Sequence, residues 1–150
     1  MSVSYLKEIS RISIPVIESH NLDLKFNLVR YNPKAVPAEF LSSTAGAEVH
    51  DGFLFAHNRV AQLIVDAFSE QLRAYPSYTL VSTGHSLGAA LASLMGLTLK
   101  ANFPETPLKI YAYGQSRIGN EKYGDLIEKT IGVDNIFRVV HTNGMSSRTP

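Results

Sequence analysis

Thr79-Leu80-Val81-Ser82-Thr83-Gly84-His85-Ser86-Leu87-Gly88-Ala89-Ala90-Leu91-Ala92-Ser93-Leu94 is the stretch on which the reading of this chain turns. Thr79 to Thr83 is a short run of β-forming residues. From Leu87 to about Asn102 an alanine- and leucine-rich segment reads as a helix. Between them stands Gly84-His85-Ser86-Leu87-Gly88. On its own a GxSxG pattern is weak, since a glycine-rich turn with a satisfied serine has the same letters. Its position between a strand and a helix is what gives it meaning. A sharp turn there would push the Ser86 hydroxyl out past the end of a sheet. It would also aim the first N–H groups of the helix at a developing oxyanion. Glycines at 84 and 88 are expected to let strand and helix approach closely, and Ala89 and Ala90 to keep the helix entrance small. Ser86 is therefore a candidate nucleophile.

Working outward, the pattern alternates. Leu22, Leu24, Phe26 and Leu28 are spaced by Asp23, Lys25 and Asn27, as in a half-buried strand. Residues 31–48, rich in Pro, Ala, Ser and Thr, read as loop. From Gly52 the spacing becomes three and four: Phe53, Val60, Leu63, Ile64, Ala67, Phe68 and Leu72 predict a helix, with Pro76 just past its end. Leu108 to Tyr113 reads as a strand closed by Gly114, Glu121 to Ile131 as a helix and Ile136 to Val140 as a strand. Strands and helices in alternation predict an α/β fold, a parallel sheet covered by helices on its faces. No repeat or linker divides residues 1–150, so a single domain is expected.

Composition narrows the function classes. With 14 basic and 13 acidic residues and no long run of like charge, nucleic-acid binding has no electrostatic support. There is no cysteine, which removes disulfides, thiolate zinc sites and a cysteine nucleophile. The longest mostly apolar stretch, Leu87 to Leu99, is too short and too broken by Ser and Thr to form a transmembrane segment. Lys7, Glu8, Arg11 and Glu18 interrupt residues 1–19, so no signal peptide is read there, and the compartment stays open.

Four separate segments, in order, then carry a resemblance. They are Val49-His50-Asp51-Gly52-Phe53; Tyr75-Pro76 with Thr83 to Leu94; Tyr113-Gly114-Gln115-Ser116-Arg117-Ile118-Gly119-Asn120; and Arg138-Val139-Val140-His141-Thr142-Asn143. Together they resemble the class 3, fungal-type lipases over about residues 22–143. The resemblance implies a partial α/β-hydrolase fold and hydrolysis of acylglycerols or related esters by acyl transfer, with no metal or cofactor. Its site residues would be Ser86 as nucleophile and the backbone N–H of Leu87 as one oxyanion donor. Its partner would be a lipid or other ester substrate.

The match breaks at both ends. The family continues its Thr-Asn run with a catalytic aspartate, whereas Asn143 is followed by Gly144, Met145, Ser146 and Ser147. Glycine at 144 cannot orient a histidine. The family's catalytic histidine lies well downstream, and residues 1–19 contain nothing like the Arg-Gly-Ser or Arg-Gly-Thr that supplies its second oxyanion donor. Residues 1–19 and 144–150 are thus atypical ends. The resemblance gives His50, His85 and His141 other roles, and Asp125 and Asp134 read as solvated. Arg117 and Asn120 read as loop hydrogen bonders, Tyr111 and Tyr113 as packing residues, and Ser116 as a tolerated change from proline.

One origin for the tail lies in its codons. Asn143-Gly144-Met145-Ser146 can be encoded AAY-GGT-ATG-TCN, which contains GTATGT, a common fungal intron start. Splicing after the first G of codon 144 could restore aspartate. A chain with these ends is expected to be catalytically impaired, to expose sheet edges and apolar helix faces, and to aggregate. Two other readings share the motifs. One is a non-catalytic lipid-binding or interaction remnant, which would tolerate Ser86→Ala. The other is a feruloyl-type esterase, separated from a lipase by lid and cleft segments that the motifs do not cover.

Overall fold

The structure is a computed structural model and describes residues 27–140. Strand β1 (Leu28–Arg30), helix α1 (Ala38–Ser43) and strand β2 (Glu48–His50) come first. Helix α2 (Asp51–Ala74), strand β3 (Leu80–His85), helix α3 (Leu87–Asn102) and strand β4 (Leu108–Tyr113) follow. Helix α4 (Glu121–Ile131), a 3-10 turn at Val133–Asn135 and strand β5 (Ile136–Val139) complete the order. β3, β4 and β5 pair in parallel in that spatial order, with Ser82 opposite Ile110 and Ile110 opposite Ile136. The alternation from Thr79 onward is therefore the α/β arrangement that the sequence predicts.

Differences from the sequence reading cluster at the front. The alternating segment from residue 22 lies outside the described residues except for its end, where Leu28 opens β1. β1 does not join the parallel sheet; it pairs antiparallel with β2, Leu28 opposite His50 and Arg30 opposite Glu48. Residues 31–48 are not simply loop. They hold α1, entered through Pro37, and the first residue of β2. The stretch is anchored because Tyr31 and Ala47 are fully buried and joined, Tyr31 N–H donating to the Ala47 carbonyl over 2.8 Å. Its Pro, Ser and Thr content masked those two apolar anchors.

Helix α3 is the centre of the molecule. Ten of its sixteen residues are buried, from Ala89 to Leu99, so it has no solvent face to speak of. It lies on β3 and β4 and is flanked by α2 and α4. Gly96 sets the approach: a Cβ there would come within 2.6 Å of Ile110 Cδ1. Leu80, Ser82, Leu108, Ile110 and Ala112 face this helix and are buried. The other side of the sheet carries Tyr113, Phe137 and Val139, all exposed among the described residues, with Tyr111 and Phe137 stacked at 4.7 Å.

α2 is a helix, as expected, but rotated from its sequence reading. Phe53, His57, Ala61, Ile64, Val65 and Phe68 point inward, while Leu63 is 73% exposed. The polar letter at 57 broke the apolar stripe and moved it one step around the helix. α4 buries Tyr123, Leu126, Ile127 and Ile131 at the expected spacing.

Candidate active site

The strand leading to Ser86 is longer than its β-forming letters suggest. β3 runs through Thr83, Gly84 and His85, with Gly84 opposite Ala112 and His85 opposite Tyr113. The change of direction is concentrated in Ser86, which has φ 53° and ψ −120° and is the residue before helix α3. That region of backbone space is costly for a residue with a Cβ. Two groups of bonds hold it there. Ser86 N–H donates to the Tyr113 carbonyl at the end of β4 over 2.9 Å. The Ser86 carbonyl accepts from Ala89 N–H at 3.0 Å and Ala90 N–H at 3.3 Å, which begins the helix. Ser86 is exposed.

Gly84 makes this geometry possible. A Cβ on Gly84 would lie 2.1 Å from the Gly88 carbonyl oxygen and 2.7 Å from Ala89 N. The expectation for Gly88 is corrected: a Cβ there would meet nothing within 4 Å. It is the backbone of 88, not its missing side chain, that presses against the strand. Leu87 N–H is the first donor of α3 and has no acceptor within its own helix. A strained, exposed serine beside such a donor can present a hydroxyl to a carbonyl carbon and an N–H to its oxygen.

The surrounding polar residues mostly build the scaffold. His50 caps α2: its Nδ1 accepts from Gly52 N–H at 3.1 Å and its ring stacks on Phe53 at 4.5 Å. The His85 ring lies near Gly114, whose Cβ position would be 3.6 Å from His85 Nε2. Asn120 caps α4 and ties it to β2. Its Oδ1 accepts from Tyr123 N–H at 3.0 Å and Glu48 N–H at 3.1 Å, while Nδ2 donates to the Gly46 carbonyl at 2.9 Å. Arg117 Nε donates to the Gly119 carbonyl at 3.2 Å. Asp125 pairs with Lys122 at 3.6 Å on the surface, and Asp134 is exposed. His141 and Gly144 lie outside the described residues.

The sequence reading passed over several buried polar side chains. Ser82 Oγ donates to the Ala92 carbonyl at 2.7 Å, and Gln115 Nε2 donates to Ser93 Oγ at 2.9 Å, so strand and loop are each bonded to α3. Gln115 and Ser93 also reach an open cleft of about 510 Å³ beside α4, lined by Arg117, Asn120 and Arg138; it does not include Ser86. His57 lies between α2 and α3, 1% exposed. It sits four residues from Phe53 and from Ala61, which is the signal that could have found it. No group of three or more His, Asp or Glu side chains among the described residues is placed to hold a metal ion. No helix among them is long and apolar enough to cross a membrane.

The comparisons agree with this geometry. The family described as Lipase (class 3) matches residues 16–150. The lipase of Rhizopus niveus is 34% identical over 131 residues, covering 85% of this chain and 30% of that protein. The secreted mono- and diacylglycerol lipase 1 of Fusarium solani is 36% identical over 106 residues, covering 71% of this chain and 31% of that protein. The crystal structure of a lipase from Rhizopus microsporus var. chinensis superposes with a TM-score of 0.72 at 32% identity, covering 90% of this chain and 44% of that one. A solved triacylglycerol lipase, described as having a serine protease triad at its catalytic centre, superposes with a TM-score of 0.65 at 34% identity. It covers 79% of this chain and 41% of that one. The chain thus spans about 30% of the length of the first curated relative it matches. A parallel sheet, a strand–serine–helix turn and a family match across most of the sequence converge, and the chain belongs to the class 3 lipase family, with a partial α/β-hydrolase fold.

Proposed function

We propose that this chain is part of a serine hydrolase of acylglycerols or related lipid esters, with Ser86 as nucleophile and Leu87 N–H as one oxyanion donor. The observation that carries the reading is the Ser86 backbone, φ 53° and ψ −120°, held between β3 and α3. Strain of this kind clusters at functional sites, and on an exposed serine between a strand and a helix it supports a nucleophile's place. In the reaction Ser86 Oγ bonds to the ester carbonyl carbon and its proton passes to a general base. The carbonyl oxygen, now negative, accepts from Leu87 N–H. The alcohol leaves with that proton, and water cleaves the acyl-serine to release the acid and regenerate the hydroxyl. The scheme uses no metal and no cofactor.

The base and its orienting acid are what these 150 residues do not supply at the family's positions. Gly144 stands where the aspartate belongs. Of the described histidines, His50 caps a helix and His57 is buried between two helices, while His85 is exposed with its ring near Gly114. With glycine at 144 the chain in this form is expected to be impaired. Gly144 also favours a second reading, a lipid-binding remnant that kept the scaffold.

The transcript across codons 143–150 separates them. A message encoding aspartate at 144 and running on to a histidine is expected to yield a protein that hydrolyses p-nitrophenyl butyrate. Ser86→Ala is then expected to reduce that rate by roughly 10⁴-fold or more. Hydrolysis that survives Ser86→Ala would remove Ser86 from the nucleophile's place. A message reading Gly144 and carrying no such histidine, with Ser86→Ala leaving vesicle binding unchanged, would favour the remnant.

A further inference from the structure

His57 sits in a network that fixes its proton. Asn58 Oδ1 accepts from the Lys34 backbone N–H at 2.8 Å. A backbone N–H can only donate, so the atom facing it must be the amide oxygen, and the Asn58 side chain has one orientation. The same Oδ1 lies 3.1 Å from His57 Nδ1, so Nδ1 carries the hydrogen. His57 Nε2 is then the acceptor, and the Thr98 hydroxyl, 3.0 Å away on α3, donates to it. Asn58 Nδ2 donates in turn to the Asn32 carbonyl at 3.3 Å.

The neutral imidazole thus joins three pieces. It bonds α2 to α3 through Thr98. Through Asn58 it bonds both helices to Asn32 and Lys34, in the strap of residues 31–37 between β1 and α1. The strap's other bond to a helix side chain is from Asn102 Nδ2 to the Ala35 carbonyl at 2.7 Å.

We propose that His57 is an acid-sensitive latch. Neutral, it locks the strap onto the α2–α3 pair; protonated, it lets the strap open while the sheet and α3 stay folded. The proposal is independent of the role given to Ser86.

The chemistry around the ring makes the charged form costly. Both ring nitrogens are taken by neutral groups, Asn58 from its own helix and Thr98 from α3. Tyr31, at the start of the strap, lies near Thr98, and Tyr123 from α4 meets Tyr31 edge-on at 5.5 Å. Among the described residues neither phenol oxygen has a hydrogen-bond partner. Thr98 lies close enough to offset part of the burial at Tyr31, but its bond is with His57. Burial pushes both phenols well above their ordinary range, so they stay neutral when an imidazole titrates. An imidazolium here would have no carboxylate on either nitrogen. It gains solvation by opening toward water, and the strap, bonded to the helices through Asn58 and Asn102 and with Pro33 buried, is the adjoining segment that carries no helix or strand of its own.

Burial pulls the His57 imidazole below its ordinary value of 6.5, with the Asn58 bond opposing it. The folded pKa is depressed, so the open state binds more protons. Stability of the closed strap is full above about pH 6.5 and is lost as pH falls below it, down to the folded value.

Two measurements on the whole 150-residue chain test this. Ring ¹⁵N spectra should show the Nδ1–H tautomer at pH 7.5 and a His57 titration below 6.5; an Nε2–H tautomer, or a titration at or above 6.5, overturns the proposal. Hydrogen exchange, corrected for the intrinsic rate, should show Lys34 N–H protection falling about tenfold from pH 7.5 to 5.5. The Ile110 amide in the central strand should keep its protection, and in His57→Gln the fall at Lys34 should disappear. Equal loss at Ile110, no loss at Lys34, or the same loss in His57→Gln would each sink the latch. The ring spectra need no variant, so a misfolded His57→Gln does not protect the idea.

Discussion

Ser86 and Gly84 form one device. Ser86 holds a backbone conformation that a Cβ opposes, and Gly84 leaves the room that the turn back into α3 requires. Two opposite stability changes are expected. Ser86→Gly should stabilise the chain by about 1 kcal/mol, the relief of strain exceeding the extra freedom of the unfolded glycine. Gly84→Ala should destabilise it by about 3 kcal/mol or more, because its Cβ meets a carbonyl oxygen that cannot move without moving the helix. Urea unfolding of the three chains checks both signs. Ser86→Gly less stable than the parent would mean that the turn is not strained. The GxSxG letters gave the place of this turn. They did not show that the two glycines differ, since that depends on which backbone atoms face which Cβ.

Among the elements, the β1–β2 hairpin depends on the loop after β4. Asn120 bonds Glu48 N–H and the Gly46 carbonyl while capping α4, and Gly119 passes so close that a Cβ would fall 2.1 Å from the Glu48 oxygen. Asn120→Ala should cost about 2 kcal/mol, the loss of a cap and of a cross-element bond. Asn120→Asp keeps the cap and should cost less. A melting series should rank parent, Asp, Ala; equal Asp and Ala chains would mean that the oxygen's bonds to Tyr123 N–H and Glu48 N–H contribute nothing. From Thr79 onward the elements were legible, because β3, α3, β4 and α4 each have one unbroken pattern. The hairpin was not. Its strands are three residues long and its burial rests on Tyr31, Ala47 and Val49, isolated apolar letters among polar ones. α2 was legible as a helix but not in its rotation, because its inward face is filled at 57 by a histidine whose partners are distant in sequence.

For the whole molecule, the sheet face away from α3 carries exposed Tyr113, Phe137 and Val139 among the described residues. The 150-residue chain is expected to self-associate, with light scattering rising with concentration and reduced by Phe137→Thr with Val139→Thr. A monomer at all concentrations would show that this face is covered. Family membership rests on the class 3 lipase match over residues 16–150, a range that contains the elbow, the loop after β4 and the start of α2. Competence in catalysis is a separate matter. On the function proposed above it needs an acid and a base beside Ser86, and Gly144 stands where the resemblance puts the acid.

That separation can be measured on the chain as it stands. A fluorophosphonate reacts with a serine only when a base has activated it. The purified 150-residue chain, treated with the probe and digested for mass spectrometry, should show the Ser86 peptide unmodified. Stoichiometric modification at Ser86 would contradict the account, since it would require a base within these 150 residues.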